Sequence, residues 1–331
     1  MSCSLLGVDR TSPPRPLPSP EQVDPDAARV RGGAWQPAPD ELVGTRLRER
    51  FRVVRWRAEG GLSTVYLGAD ERRRDAVAIK VLHAAYSGLP VIRMRFAREA
   101  ELAMQLGARI GAAARGTGLV AGRPFLVLDF LDGGTLRDQL GTTGPLAALD
   151  AVRVADRLLA RLALLHAEGF VHHDLKPAHV LASGTALLDL GSALPLGAPF
   201  DATGCSPAYG APEQWREGAL TDPRADLYSV GVMLFEMLTG RRPFVIDASQ
   251  PLSSWEERKE PTVQSLGWAG TPGRPEADAE ADADADAALP NAIIAIVLRA
   301  LAPDPGARFA SAAAMREALR PLWAEHDEEK R

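Results

Sequence analysis

The hydrophobic period of this chain changes once along its length. Up to about residue 130 apolar residues mostly alternate, and from residue 147 they recur every three or four positions. Alternation lines the two faces of a strand, whereas the longer spacing lines one face of a helix. A strand-rich first part and a helix-rich second part predict an α+β protein. Its 331 residues suffice for one large domain or two smaller lobes.

The alternating part predicts strands over Arg50–Arg57, Val65–Gly68 and Ala76–Leu82, and a buried strand over Phe125–Leu128. One helix interrupts them, Ile92–Leu106, with Phe96, Ala100, Ala103 and Leu106 on its apolar face. Beyond 147 the spacing predicts helices over Leu149–Glu168, ended by Gly169, and over Asp226–Thr239, ended by Gly240. Two more, Asn291–Leu301 and Ser311–Trp323, follow, and Val180–Leu188 reads as a hairpin turning at Ser183–Gly184. Residues 1–45 hold eight prolines before residue 40 and no apolar period, so a disordered tail is expected there. Residues 272–288 form a low-complexity acidic stretch, expected as a solvated loop, and 325–331 a charged tail.

Composition narrows the function. A net charge of −5 argues against a nucleic-acid partner. Cys3 and Cys205 are the only cysteines, which leaves no disulfide framework and no zinc spacing. No run approaches eighteen apolar residues and the first ten residues lack a basic, apolar leader, so a cytoplasmic protein without a membrane partner is expected. Lysine is scarce: it occurs only at 80, 176, 259 and 330, although Lys and Arg together number 38. A chain that avoids Lys should keep it where a compact ammonium is needed, as at a phosphate.

Four segments carry chemistry. Ala58-Glu59-Gly60-Gly61-Leu62-Ser63-Thr64-Val65-Tyr66 joins two strands with small residues whose N–H groups can approach phosphate. A plain hairpin turn explains its glycine pair equally well, and no Walker A lysine follows. Lys80 ends an apolar strand, Val77-Ala-Ile-Lys80, where an ammonium needs a partner, and Glu99 in the expected helix is the natural one. In Val171-His-His-Asp-Leu-Lys-Pro-Ala-His179, Asp174 can accept a hydroxyl proton while Lys176 neutralises a transferring phosphoryl group. Asp189 in Leu187-Leu-Asp-Leu-Gly191 is either a Mg²⁺ ligand or a turn cap.

These segments, followed by Ala211-Pro-Glu213, occur in the order used by protein kinases. Over about residues 46–323 the chain resembles the protein Ser/Thr kinase family, in its bacterial eukaryotic-like branch. Asp226-Leu-Tyr-Ser-Val-Gly-Val232 is similar to the family's central helix, and Asp304-Pro-Gly-Ala-Arg308 to the segment whose Arg pairs with Glu213. The resemblance implies a bilobal kinase fold over 46–324, with an antiparallel N-lobe at 46–128, a hinge at 129–134 and a mainly helical C-lobe at 135–324. It implies ATP and Mg²⁺ as cofactors, with Mn²⁺ as an alternative, and protein Ser/Thr hydroxyls as acceptors, including the chain's own. Oligomeric state is left open. Residues 58–66 would cover the nucleotide, Lys80 would hold its α- and β-phosphates and pair with Glu99, and Asp129 and Leu131 would offer hinge backbone to adenine, behind Leu128. Asp174 would be the catalytic base, Lys176 would reach the γ-phosphate, Asp189 and the residue at 179 would bind metal, and Ser206 would orient the acceptor.

The chain departs from the family in five residues. Ala58 and Ser63 replace loop glycines, and Leu190 replaces the Phe before Gly191. His173 stands where an Arg receives an activation phosphate, so phosphate activation is expected to be weak or absent, with Thr203 and Ser206 as candidate phosphosites. His179 replaces the Asn that ligates a second Mg²⁺, and imidazole suits softer metals such as Zn²⁺ or Mn²⁺. That substitution motivates a second reading, a pseudokinase that binds ATP and acts as a scaffold. A third, a small-molecule phosphotransferase, is opposed by the Leu-Lys-Pro after Asp174 and by Ala211-Pro-Glu213.

Overall fold

The alternating segments become strands in the computed structural model, which describes residues 42–200, 206–216, 218–244 and 285–328. The tail before residue 42, Thr203, Cys205, most of the acidic stretch and residues 329–331 lie outside the described residues. Two units result. One comprises the described residues up to Arg93 with Ala114–Phe130, and the other comprises Met94–Ala113 with everything from Leu131 onward.

The first unit is built on a six-stranded antiparallel sheet. Its strands are β1 (Arg46–Leu47), β2 (Phe51–Glu59), β3 (Ser63–Asp70), β4 (Asp75–Leu82), β5 (Ala114–Val120) and β6 (Arg123–Asp129), in the order β1-β2-β3-β4-β6-β5. Phe51, Val53, Tyr66, Val77, Ile79, Val81, Phe125 and Val127 close its core, as the period-2 pattern requires. Asp70 is fully buried there, and the two hydrogen bonds from Arg50, 2.6 and 2.9 Å, hold its carboxyl down to about 2. A short helix, α1 (Ala84–Ser87), follows β4.

Helix α2 (Pro90–Gln105) begins in the first unit and carries Phe96, Glu99, Leu102 and Ala103 on its buried side. The rest of the second unit is helical: α3 (Gly107–Ile110), α4 (Leu136–Thr143), α5 (Ala148–Ala167), α6 (Pro223–Thr239), α7 (Ala285–Ala300), α8 (Ala312–Leu319) and α9 (Pro321–Glu328). Two two-residue strands, β7 (Phe170–Val171) and β8 (Leu194–Pro195), pair beside it. Helix α5 packs on α6 and α8, its Val152, Ala155, Leu159 and Leu162 belong to the unit's core, and α6 is buried nearly all round. Among the described residues no helix is long and apolar enough to cross a membrane.

The structure corrects three expectations. Helix α7 starts at Ala285, so residues 285–288 of the expected acidic loop are helical; three alanines in that turn favour it. The expected helix over Ser311–Trp323 is two helices, divided at Pro321, which opens the second. The expected hairpin over Val180–Leu188 is reduced to one isolated bridge, Val180 to Leu187, closed by a turn in which Gly184 adopts φ +74°.

Candidate active site

In the first unit the expected phosphate-covering segment is a hairpin. Ala58 and Glu59 end β2, Gly60, Gly61 and Leu62 turn, and Ser63 to Tyr66 begin β3. The Gly60 amide donates to the Ser63 carbonyl at 2.8 Å, and Ala58 and Glu59 face Val65 and Thr64. Thr64 Oγ1 donates to Glu59 Oε2 at 3.0 Å. Lys80 lies in central β4, with Val65 and Leu126 as its cross-strand neighbours. Asp129 ends β6, where its carboxylate accepts a bond from Arg115 Nε at 2.5 Å; Leu128 beside it is buried.

The second unit brings together Asp174, Lys176, His179, Asp189 and Ser206. Asp174 follows β7 on an irregular turn and is 7% exposed. Its Oδ2 accepts a bond from Lys176 Nζ at 2.8 Å, and its Oδ1 accepts the Ser206 amide at 2.8 Å. Lys176 Nζ also donates to Ser206 Oγ at 2.8 Å. One ammonium therefore bridges the carboxylate and the Ser206 hydroxyl, and it fixes a positive charge beside the carboxylate that could accept a hydroxyl proton. His179 closes a single 3-10 turn, Pro177–His179. Burial pushes its imidazole down to about 4, against the attraction of Asp189.

Asp189 Oδ1 accepts the Gly191 amide at 2.9 Å, which turns the chain after the motif. Its Oδ2 points towards His179 Nε2, 3.8 Å away. Glu99, 3% exposed in α2, lies against the same turn: a Cβ at Gly191 would meet Glu99 Oε2 at 3.4 Å and Asp189 Oδ1 at 3.1 Å. Lys80, its expected partner, belongs to the first unit. Leu131, expected to offer backbone to adenine, is a half-buried residue in an irregular stretch. A carboxylate oxygen and an imidazole nitrogen facing each other fit a divalent cation. Among the described residues no group of three or more His, Cys, Asp or Glu side chains could hold one unaided, so water or phosphate oxygens would complete the shell.

Sequence reasoning missed the frame that holds this loop. Asp226, fully buried in the first turn of α6, accepts the His172 amide on Oδ2 and the His173 amide on Oδ1, each at 2.9 Å, and His166 Nε2 lies 2.8 Å from Oδ2. Burial raises the Asp226 pKa, but the hydrogen bond from His166 and the nearby histidines outweigh it and leave it below the usual range. A signal existed, because an Asp inside an apolar run must be paired to be buried. Gln214 was also missed. Its Nε2 donates to the His173 carbonyl at 3.1 Å and lies 3.2 Å from His173 Nδ1. The ring of His173 stacks on Phe200, 4.5 Å between centroids, and burial pushes it down to about 4. The expected pairing of Arg308 with Glu213 is present and two-pronged, at 2.6 and 2.8 Å.

The fold and this loop define a protein kinase. The family description of the protein kinase domain matches residues 56–323. The chain is 36% identical over 283 residues to the serine/threonine-protein kinase PknL of Mycobacterium tuberculosis, covering 83% of this chain and 66% of that protein. It is 35% identical over 302 residues to the serine/threonine-protein kinase Pkn1 of Myxococcus xanthus, covering 87% and 40%. It is 32% identical over 289 residues to the serine/threonine-protein kinase PknB of Mycolicibacterium smegmatis, covering 82% and 43%. The chain thus spans less than two thirds of the length of each of these relatives. It belongs to the protein kinase family, in its bacterial eukaryotic-like serine/threonine branch.

Proposed function

We propose that this chain transfers the γ-phosphoryl group of ATP to Ser or Thr hydroxyls of proteins, its own included. The observation that carries the reading is the single ammonium of Lys176 shared between Asp174 Oδ2 and Ser206 Oγ. In this reading an acceptor hydroxyl donates its hydrogen bond to Asp174. Its oxygen bonds to the γ-phosphorus as the bond to the β–γ bridging oxygen breaks, ADP leaves with the electron pair, and the proton passes to Asp174. Lys176 stabilises the charge on the phosphoryl oxygens throughout. The segment from Ala58 to Tyr66, Lys80, Glu99, Asp129 and Leu131 keep the nucleotide roles that the resemblance implies. A divalent cation, Mg²⁺ or Mn²⁺, at Asp189 and His179 would neutralise phosphate charge.

We keep 46–324 as the extent of the catalytic domain and a cytoplasmic setting, where ATP and protein acceptors meet. Burial pushes the His173 imidazole down to about 4, so near neutral pH it offers no cation to an activating phosphate, and activation by that route is weak or absent in this reading. Ser206 Oγ is engaged by Lys176, which suits acceptor orientation better than modification. The three relatives above are all named as kinases, and the scaffold alternative finds no support in them. The test is label transfer from γ-labelled ATP to the chain itself and to a generic basic protein, in Mg²⁺ and separately in Mn²⁺. Transfer should fall about 10²–10⁴-fold in Asp174→Asn. No transfer by the wild type in either metal would sink the reading.

A further inference from the structure

The imidazole of His179 is held in one orientation and one tautomer. Its Nδ1 lies 2.8 Å from the backbone carbonyl oxygen of Asp174. A carbonyl only accepts, so Nδ1 carries the hydrogen, and in the neutral ring the lone pair is on Nε2. Nε2 is the nitrogen that faces Asp189 Oδ2 at 3.8 Å. That distance is too long for a hydrogen bond. Two donors sharing one ion at about 2.1 Å each lie no more than about 4.2 Å apart, so the gap admits a shared cation. Histidines that bind metal characteristically donate their other N–H to a carboxylate or backbone carbonyl, which fixes the ring and raises its basicity.

The two donors are also tied together by backbone. The Leu188 amide donates to the His179 carbonyl at 2.9 Å, next to Asp189, and the His179 amide donates to the Lys176 carbonyl at 2.9 Å. The side chains are 16% and 31% exposed, so an ion can reach them. Mg²⁺ demands oxygen donors in near-ideal octahedral geometry and sheds water reluctantly, whereas first-row transition-metal dications accept imidazole nitrogen.

We propose that His179 Nε2 and Asp189 Oδ2 ligate one divalent cation, and that the nitrogen donor makes this position select a first-row transition-metal dication over Mg²⁺. The inference deepens the kinase reading by naming the metal class at that reading's own site, but its geometry does not depend on phosphoryl transfer. Mn²⁺ is the probe, because it binds nitrogen most weakly of its series, so selection seen with Mn²⁺ is the demanding case.

The experiment is pulsed electron paramagnetic resonance of Mn²⁺ on the full chain, with Mn²⁺ alone and with β,γ-methylene ATP, together with displacement of Mn²⁺ by Mg²⁺. Binding of β,γ-methylene ATP is measured separately by calorimetry. The wild type should show ¹⁴N modulation from a directly bound imidazole. His179→Asn, which restores an oxygen donor and is checked for folding by circular dichroism, should lose it. The Mg²⁺ needed to displace half of the Mn²⁺ should fall about tenfold or more in that variant. A wild type that holds no Mn²⁺, or holds it without ¹⁴N modulation, overturns the inference, as does an unchanged displacement ratio. Failure of the kinase reading looks different: no calorimetric binding of the nucleotide and no label transfer, whatever the metal spectrum.

Discussion

His173 combines a left-handed backbone, φ +67°, with a ring only 2% exposed. Such a conformation costs a non-glycine residue about 1–3 kcal/mol and persists only where the surroundings impose it. Here they do: Asp226 takes its amide, Gln214 donates to its carbonyl, and Phe200 covers its ring. The sequence marks His173 as a departure but suggests a conditional cation. Its neutrality comes from burial under partners at positions 200 and 214, which local spacing does not reveal. A depressed histidine pKa has a definite consequence for stability. The unfolded chain titrates near 6.5 and the folded one near 4, so the contribution is fully present above pH 6.5. It is lost as pH falls towards 4, because only the unfolded state takes up the proton in that window. The unfolding free energy should therefore carry about 1.4 kcal/mol per pH unit from this residue between those values. Urea unfolding at stepped pH checks it: His173→Asn, which tolerates the left-handed backbone, should flatten that slope by one proton. An unchanged slope would mean the ring is already charged in the fold.

At the scale of elements, legibility followed side-chain pattern. β4 and α5 were readable because apolar residues recur without interruption. β5 was not, since Ala114-Arg-Gly-Thr-Gly-Leu-Val120 presents two glycines instead of an apolar face. The fold explains them: a Cβ at Gly118 would meet the Phe125 ring at 2.8 Å, and one at Gly116 the Phe51 ring at 3.1 Å. Bulk supplied by other strands, Phe125 of β6 and Phe51 of β2, is invisible in a strand's own residues. α4 escaped in the same way, although Thr135 and Asp138 form a reciprocal cap at its start. Gly111, after α3, gives the clearest test. It bridges Leu187, two residues before Asp189, and a Cβ there would collide with the Leu187 carbonyl oxygen. A side chain at this position has no room, because the Leu187 backbone occupies the space. Gly111→Ala should lower stability by about 1–3 kcal/mol in urea unfolding. Gly141→Ala, in α4 with nothing within 4 Å of the added carbon, should be neutral or stabilise by about 0.5–1 kcal/mol. Equal effects would show that Gly111 is not packed against Leu187.

At the scale of the molecule, the two-part architecture was legible because the hydrophobic period itself changes, and the catalytic loop because Asp174, Lys176 and His179 lie within six residues of one another. What spacing could not supply were the long connections, Asp226 under the loop and Gln214 beside it. The same division predicts how the chain opens. The first unit closes its core on one face of a sheet, around Phe51, Ile79 and Phe125. The second closes a larger one, in which α5 and α6 bury Leu158, Leu159, Leu162, Leu227, Val230 and Phe235 completely. Buried apolar area sets most of the favourable free energy, so the smaller core should open at lower cost. Native-state hydrogen exchange should find the β4 amides of Ile79 and Val81 exchanging through a lower-energy opening than those of Val230 to Phe235 in α6. Phe51→Leu removes volume from the first core at a cost of about 1–1.5 kcal/mol. It should speed exchange in β4 roughly tenfold while leaving α6 unchanged. If α6 accelerates by the same factor, the chain opens as one cooperative body, and the two cores are one thermodynamic unit.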